Sequence, residues 1–182
     1  MTFAETILKG SFVIHLKTLQ DDRGWFMRTY SKDEFEKNIR FEKEWVQMNQ
    51  SFTSKKGSIR GMHFQLKPFS EIKLVRCIAG EVFDVIIDLR KNSSTFLKWF
   101  GINLSTENKK MIYIPEGFAH GFQTLSENAE LVYQHSAYYK PEAESGIKYN
   151  DPAVGIKWPL EVTEISERDK NHLLIDSTFK AL

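Results

Sequence analysis

The sequence of 182 residues has little cysteine and almost no net charge. A single cysteine, Cys77, excludes an internal disulfide and any zinc site built on several cysteines. Lys and Arg total 25 against 24 for Asp and Glu, so the formal net charge is +1. No bulk electric field therefore attracts nucleic acid or an anionic membrane, and an anionic ligand has to be held by a local cluster of cations.

The sequence also lacks a long apolar run. The longest ones, such as Val82–Leu89, are broken by charge and fall well short of the ~20 residues that span a bilayer. The first residues, Met1–Glu5, lack the basic segment and following apolar run of a signal peptide. We therefore expect a cytoplasmic protein without a membrane segment.

Short extended segments bounded by turn residues run along the whole chain, with no linker or repeat between them. This pattern predicts one all-β sandwich or barrel domain over residues 1–182, with a few short helices, mainly C-terminal. The spacing Ser31-x-x-Glu34 resembles a capping box and predicts a short helix behind it that buries Phe35 and Ile39. The predicted strands are Phe12–Leu16, Trp25–Tyr30, Trp45–Phe52, Ser58–Gln65, Ile72–Ile78, Glu81–Leu89, Lys98–Leu104, Lys110–Ile114, Gly121–Leu125 and Glu130–Tyr139.

Two polar side chains fall on faces that otherwise point inward. Strand alternation places Lys73 on one face with Val75 and Cys77, and Tyr133 on one face with Leu131. Such groups are costly in a filled core because each needs a partner when it is buried. We therefore expect both side chains to line a pocket at an open end of the sandwich or barrel.

The segment Ile112–Phe122 contains Pro-x-Gly-x-x-His, ending at His120, and resembles the second motif of the cupins. In metal-binding cupins the first motif is His-x-His followed by a carboxylate. The corresponding segment here, Arg60–Gln65, has one histidine, His63, and then a glutamine. A divalent metal takes three or four N/O ligands, so the sequence predicts a jelly roll that holds no metal.

Several motifs in order resemble the dTDP-4-dehydrorhamnose 3,5-epimerase family, from Asp22 to Asp169. The resemblance implies a cupin-type double-stranded β-helix (jelly roll), without cofactor or metal, that forms a homodimer. It implies inversion of C3 and C5 in a nucleotide-linked 4-keto-6-deoxyhexose. The matching segments are Arg60–Gln65, Ile72–Cys77, Gly80–Val85, Pro115–Phe122, Tyr133, Tyr138–Tyr139, Asn150–Pro152, Gly155–Pro159 and Ser166–Asp169.

The resemblance implies four catalytic residues. His63 is the base, and Asp169 orients its imidazole and favours the imidazolium that forms. Lys73 stabilises the enolate oxygen as a fixed cation, and Tyr133 returns a proton to the opposite face of the sugar. Taken alone, the spacing Ser166-x-x-Asp169 also fits a capping box, so Asp169 has a second, structural interpretation.

The same resemblance implies a set of substrate-binding residues. Arg23, Arg60 and His120 contact the phosphates and the sugar, and Tyr139 stacks on the base. Strict alternation places Arg60 and His63 on opposite faces of one strand, and a bulge at Gly61 is what would bring both to the pocket. The set is Arg23, Gln47, Asn49, Arg60, Lys73, His120, Tyr139, Glu144 and Arg168.

Other interpretations remain open on the sequence alone. A catalytically silent sugar-binding cupin is one, although it need not retain the acid and the base together. A 3-only or 5-only epimerase, or a ketoisomerase on the same scaffold, is another, and a metal-dependent oxygenase is the least favoured. The sugar product is expected to enter lipopolysaccharide O-antigen or another surface polysaccharide.

The base of the nucleotide is uncertain because of Arg28, which stands where the family usually has a glutamate. Thymine presents N3–H as a donor, which suits a carboxylate, whereas cytosine presents acceptors that a guanidinium satisfies. Base recognition is then either relaxed or shifted toward a CDP-sugar. In the alternative, Arg28 turns to solvent and thymine is held by stacking on Tyr139 alone.

The aromatic-rich segment Trp25–Tyr30 suits a dimer interface better than a lone surface strand.

Overall fold

Two antiparallel sheets packed against each other dominate the computed structural model, which describes all residues, Met1–Leu182. The strands are β1 (Thr2–Glu5), β2 (Phe12–His15), β3 (Thr18–Asp21), β4 (Gly24–Met27), β5 (Gln47–Thr53), β6 (Ser58–Gln65), β7 (Lys73–Ala79), β8 (Glu81–Asp88), β9 (Trp99–Ser105), β10 (Lys110–Ile114), β11 (Phe118–Thr124), β12 (Ala129–His135), β13 (Glu144–Gly146) and β14 (Glu164–Ile165). The helices are α1 (Lys32–Ile39), a 3-10 turn (Pro141–Ala143) and α2 (Glu167–Lys170).

The order of the strands shows the jelly-roll crossovers. The first sheet runs β1-β2-β10-β7-β12-β5, and the second runs β13-β6-β11-β8-β9, with β14 added to β6 in parallel. The pair β3–β4 forms a separate hairpin. Successive strands alternate between the sheets from β5 to β8 and again from β9 to β13, which is the expected all-β jelly roll. Two of the three helical segments lie in the C-terminal third, although the longest, α1, lies near the N-terminus.

The core between the sheets comes from strand alternation. Val75, Ile112 and Leu131 point inward from the first sheet and meet Ile86 and Phe122 from the second. Each is at most 2% exposed. Burial of one such side chain contributes about 1.5–3 kcal/mol to folding, so this core stabilises the frame on which the cavity residues are mounted.

All ten predicted strands occur, with ends within four residues of the prediction. The largest difference is at β12, which ends at His135 rather than Tyr139. Beyond it, the Gln65 side chain takes the place of a strand partner: its Nε2 donates to the Tyr138 carbonyl and its Oε1 accepts from the Lys140 amide. Four short strands, β1, β3, β13 and β14, were not predicted.

The predicted helix is present as α1, but its predicted capping box is wrong. Ser31 is the N-cap residue and makes no side-chain capping bond. The carboxylate of Glu34 instead binds the ammonium of Met1 at 3.0 Å and Arg28 at 3.2 Å. A full positive charge outcompetes a backbone N–H for a carboxylate, so the tertiary contact prevails.

The longest helix, α1, has only eight residues, and no helix here has the length and hydropathy of a bilayer-spanning segment.

Candidate active site

A cavity of about 1030 Å³ opens between β5, β12 and β7 of the first sheet and β6 and β11 of the second. Its size suits a ligand as large as a nucleotide sugar. It is lined by every site residue predicted from the sequence except Arg23. Those residues are Gln47, Asn49, Arg60, His63, Lys73, His120, Tyr133, Tyr139, Glu144, Arg168 and Asp169.

A β-bulge in β6 brings Arg60 and His63 to the same cavity, as the sequence suggested. His63 pairs with His120 and Arg60 with Phe122, so β6 has one residue more than β11 over this stretch. Gly61 lies between them with φ +128, and a Cβ there would approach the Cα of Gly121 to 2.6 Å. The bulge therefore requires glycine at this position.

His63 and Asp169 form a hydrogen-bonded pair. The Nε2 of His63 lies 2.8 Å from Oδ1 of Asp169, and Oδ2 accepts from the Gly61 amide at 3.0 Å. Burial alone would raise the pKa of Asp169, but the hydrogen bond and charge of His63 outweigh it, so this pKa lies well below its usual range. The carboxylate therefore stays ionised beside the imidazole.

The structural interpretation of Asp169 also holds. Ser166 is the N-cap of α2, and its hydroxyl accepts from the backbone N–H of Asp169 at 3.1 Å. The cap uses the Asp169 amide, whereas the pair with His63 uses its carboxylate. The two interpretations are therefore compatible, and the cap fixes the carboxylate beside the imidazole.

Lys73 carries a buried positive charge. Its Nζ lies 3.1 Å from Oε1 of Glu71, with only 11% and 9% of the two side chains exposed. Burial tends to raise the pKa of Glu71, but the hydrogen bond from His135 and the charge of Lys73 lower it overall. An ionised carboxylate thus holds the ammonium in one place in the cavity.

Tyr133 lies on the first sheet, across the cavity from His63 on the second. Its hydroxyl lies 2.9 Å from Oγ of Ser51. Burial raises the pKa of Tyr133 far above its usual value, so the phenol is neutral and carries a proton. A neutral acid and an imidazole base on opposite sides of one cavity can deliver and remove protons on opposite faces of a ligand.

His120 is held by a buried carboxylate. Its Nε2 lies 2.8 Å from Oδ2 of Asp84, and neither side chain exceeds 6% exposure. Burial raises the pKa of Asp84 despite the opposing effect of His120. This contact fixes the imidazole beside Tyr133, whose ring centroid is 6.1 Å from that of His120.

The outer part of the cavity is polar. Arg60 bridges the sheets, with Nε donating to Oγ1 of Thr53 at 2.9 Å and Nη2 donating to the Phe52 carbonyl at 3.0 Å. At the rim, the Tyr139 hydroxyl donates to Glu144 at 2.8 Å, and Arg168 contacts both oxygens of the same carboxylate at 3.0 Å. These groups offer cations, donors and one aromatic ring to a nucleotide.

Arg23 and Arg28 lie outside the cavity of their own chain. Arg23 sits at the turn of the β3–β4 hairpin, 90% exposed, and pairs with Asp21 at 2.6 Å. Arg28 follows β4 and pairs with Glu34, with 63% of its side chain exposed. Neither residue lines the cavity of its own chain.

Sequence reasoning missed the partners that hold the predicted residues in place: Glu71, Asp84 and His135. Alternation does place His135 on one face with Tyr133, two positions before it, but assigns His135 no role. Glu71 precedes β7 and lies outside the predicted strand Ile72–Ile78, so alternation does not place it. Asp84 interrupts the apolar run from Val82 to Ile87 within β8, which is itself a signal of a buried, paired charge. Ser51, on β5, gave no such signal.

One group of donor atoms is close enough to hold a metal ion: His63, Asp169 and His172, within 4.8 Å of one another. The guanidinium of Arg168 lies 3.2 Å from Nε2 of His63 and 3.3 Å from Oδ1 of Asp169. A positive charge so close to two of the three donors opposes the binding of a cation. The donor set therefore suits proton transfer better than metal binding.

Comparison with known proteins gives a consistent result. The family model described as dTDP-4-dehydrorhamnose 3,5-epimerase matches residues 5–177. The chain is 46% identical to the enzyme of that name from Salmonella typhimurium over 177 residues, which is 97% of this chain and 96% of the relative.

Two solved structures superpose closely. A dTDP-4-dehydrorhamnose 3,5-epimerase from Elizabethkingia anophelis matches with a TM-score of 0.92 and 39% identity over 96% of each chain. An epimerase from Legionella pneumophila, in complex with dTDP-4-keto-L-rhamnose, matches with a TM-score of 0.90 and 40% identity, covering 95% of this chain and 92% of that one. Fold, cavity and sequence agree, and the chain belongs to the dTDP-4-dehydrorhamnose 3,5-epimerase family.

Proposed function

We propose that this protein inverts C3 and C5 of dTDP-4-dehydro-6-deoxy-D-glucose to give dTDP-4-dehydro-L-rhamnose. The observation that carries the proposal is the arrangement of His63 with Asp169 on one side of the cavity and the neutral Tyr133 on the other, with the ammonium of Lys73 lining the same space. The product would serve the synthesis of a rhamnose-containing surface polysaccharide.

The chemistry follows from the C4 ketone of the sugar. Removal of the proton from C3 or C5 leaves an enolate whose charge lies on O4. His63 accepts that proton, and Asp169 stabilises the imidazolium. The ammonium of Lys73 stabilises O4, and Tyr133 gives its proton to the carbon from the opposite face, which inverts that centre. His63 then releases its proton to solvent and the phenolate of Tyr133 regains one from solvent, so the protein returns to its starting protonation state.

Each step moves a proton between a side chain and carbon, and the overall reaction is redox-neutral. We therefore propose a reaction without cofactor or metal. Gln47, Asn49, Arg60, His120, Glu144 and Arg168 are proposed to bind the diphosphate and nucleoside, because they line the cavity around and outside the catalytic residues. Tyr139, 48% exposed at the rim, is proposed to stack on the base.

Thymine is the proposed base. The ion pair of Arg28 with Glu34 at 3.2 Å engages its guanidinium within its own chain, which supports the interpretation in which it does not read the base. We expect kcat/KM to be higher for the dTDP-linked than for the CDP-linked 4-keto-6-deoxyglucose, and Arg28→Ala to leave that ratio unchanged. A hundredfold preference, about 2.7 kcal/mol, excludes Arg28 as a reader of cytosine, and a preference for the CDP-sugar contradicts the proposal.

A homodimer is also proposed. The β3–β4 hairpin exposes Leu19, Trp25 and Phe26 by 55–66%, and the edge strand β5 exposes Met48 and Phe52 by 68% and 53%. Apolar surfaces of this kind are typical of subunit interfaces. A hairpin that docks on the partner can bring Arg23 to the partner's cavity, which would reconcile its predicted role with its distance from its own cavity.

Charging the hairpin tests the dimer. Phe26→Asp is expected to convert a dimer into a monomer in analytical ultracentrifugation and to raise KM by roughly tenfold, because each site then loses Arg23 of the partner subunit. Leu173→Asp, at a side chain 83% exposed elsewhere, is the matched control and should remain dimeric. A wild-type protein that is monomeric and fully active in dilute solution would contradict the proposal.

Residues 1–182 are proposed to form one domain, because residues from both ends, including Phe3 and Phe179, pack on the core clusters.

We also propose that the protein is cytoplasmic. Its one cysteine, Cys77, is a free, buried thiol whose pKa burial raises to about 11, which is compatible with a reducing compartment.

A further inference from the structure

A continuous chain of hydrogen bonds, completed by one ion pair, connects the rim of the cavity to Lys73. From the rim inward, the Tyr139 amide contacts Oε1 of Gln47 at 3.1 Å, and Nε2 of Gln47 contacts Oδ1 of Asn49 at 3.2 Å. Asn49 Nδ2 lies 3.4 Å from Nε2 of His135, and Nδ1 of His135 lies 2.7 Å from Oε2 of Glu71. Glu71 Oε1 then contacts Nζ of Lys73 at 3.1 Å. We call these groups the hydrogen-bond relay.

The direction of every bond in the relay is determined at its outer end. The backbone N–H of Tyr139 can only donate, so the Gln47 atom that faces it is the oxygen, and the Gln47 amide nitrogen donates to Asn49. The Asn49 oxygen is thereby used, and its nitrogen faces His135. The Nε2 of His135 must then accept.

The inner end of the relay agrees with this direction. With Nε2 accepting, the ring proton of a neutral His135 lies on Nδ1 and is donated to Glu71. The carboxylate accepts at both oxygens, once from His135 and once from the ammonium of Lys73. A single buried negative charge therefore meets a single buried positive charge, with side-chain exposures of 9% for Glu71 and 11% for Lys73.

We propose that Glu71 and His135 are positioning residues that hold the ammonium of Lys73 at the enolate oxygen, with the Nδ1–H tautomer of His135 imposed from the rim through Gln47 and Asn49. The role of Lys73 rests on the proposed function, whereas the tautomer does not. The relay links the part of the cavity that takes the nucleotide to the group that stabilises the reacting sugar.

The variant Glu71→Gln opposes the direction of the relay. The ammonium of Lys73 only donates, so the amide oxygen of the variant must face it and the amide nitrogen must face Nδ1 of His135. The ring proton then moves to Nε2 and meets the donor nitrogen of Asn49. A flip of the Asn49 side-chain amide moves the donor–donor contact to Gln47. A flip of the Gln47 side-chain amide then moves it to the backbone N–H of Tyr139. One such contact remains in every arrangement.

Two measurements test the proposal. In ¹⁵N-labelled wild-type protein, with His135→Asn used for assignment, NMR is expected to show His135 as the neutral Nδ1–H tautomer, and Glu71→Gln is expected to shift it to Nε2–H. Glu71→Gln should lower kcat roughly tenfold with KM changed less than twofold, because its effect acts through Lys73 in the transition state. Glu127→Gln, at an exposed turn, is the matched control and should change neither value.

Rescue distinguishes positioning from general damage. Asn49→Asp, added to Glu71→Gln, supplies an acceptor for Nε2–H and restores the negative charge, so kcat should recover severalfold while His135 stays Nε2–H. An imidazolium or an Nε2–H tautomer in wild-type protein would overturn the proposal, as would a Glu71→Gln variant with unchanged tautomer and kcat. If the tautomer is Nδ1–H but the protein does not act on the dTDP-sugar, the proposed function fails and the relay stands.

Discussion

Replacement of His63 by alanine is expected to lower kcat for epimerisation by about 10³-fold and to leave KM within a few-fold of wild type. The base acts on the proton only as the C–H bond breaks, so its loss affects the transition state far more than the bound substrate. The Asp169 carboxylate, held by the Gly61 amide and the Ser166 cap, would remain in place without its imidazole partner. Steady-state kinetics with the dTDP-linked 4-keto sugar measures both constants.

A second histidine provides the control for this prediction. His15 lies at the exposed end of β2 and does not line the cavity, so His15→Ala should behave as wild type. Circular dichroism and thermal unfolding would establish that both variants fold. Turnover of His63→Ala near the wild-type rate would remove His63 from the role of base.

Replacement of Tyr133 by phenylalanine is expected to give a partial reaction. The variant keeps His63 and Lys73, so protons should continue to leave the sugar, but the buried phenol proposed to reprotonate the opposite face is gone. Epimerisation at one carbon should fall by roughly 10²-fold, whereas exchange of the substrate's protons with D₂O continues. NMR of the sugar in D₂O measures exchange and inversion at each carbon separately.

Ser51→Ala is a useful companion variant, because it removes the one hydrogen-bond partner of the Tyr133 hydroxyl and leaves the phenol in place. It should reduce epimerisation far less than Tyr133→Phe does. Exchange and epimerisation that fall together in Tyr133→Phe would show that Tyr133 is not the selective acid, and His63, Lys73 and the solvent would then have to account for inversion.

The strands could be predicted from the sequence because alternation of apolar and polar residues has a period of two and does not depend on remote contacts. Ser58–Gln65 and Lys110–Ile114 were predicted with their observed ends. The capping box at Ser31 failed for the opposite reason, since the residue that competes for Glu34 is Met1, far away in the sequence. A local pattern carries no information about such a competitor.

The candidate site likewise contains residues that local patterns and the resemblance predict and partners that only the tertiary structure reveals. Alternation and the family resemblance predict that Lys73, Tyr133 and His63 line one cavity, and Gly61 indicates the bulge in β6. The partners that hold these groups come from other strands. Ser51 lies on β5 and reaches Tyr133 on β12 only through the pairing of those strands, which the sequence does not specify. The resemblance predicts Arg23 as a ligand residue but does not locate it, because the site proposed for it lies in a second chain.

Exchange of the sugar's C3 and C5 protons with solvent tests the proposed function most directly. Wild-type protein would be mixed with dTDP-4-dehydro-6-deoxy-D-glucose in D₂O and followed by ¹H NMR, with His63→Ala alongside. The predicted result is loss of the C3 and C5 proton signals together with appearance of the L-rhamno product, both abolished in His63→Ala. Full retention of both signals while the sugar is bound would contradict it and would identify a binding protein rather than an epimerase.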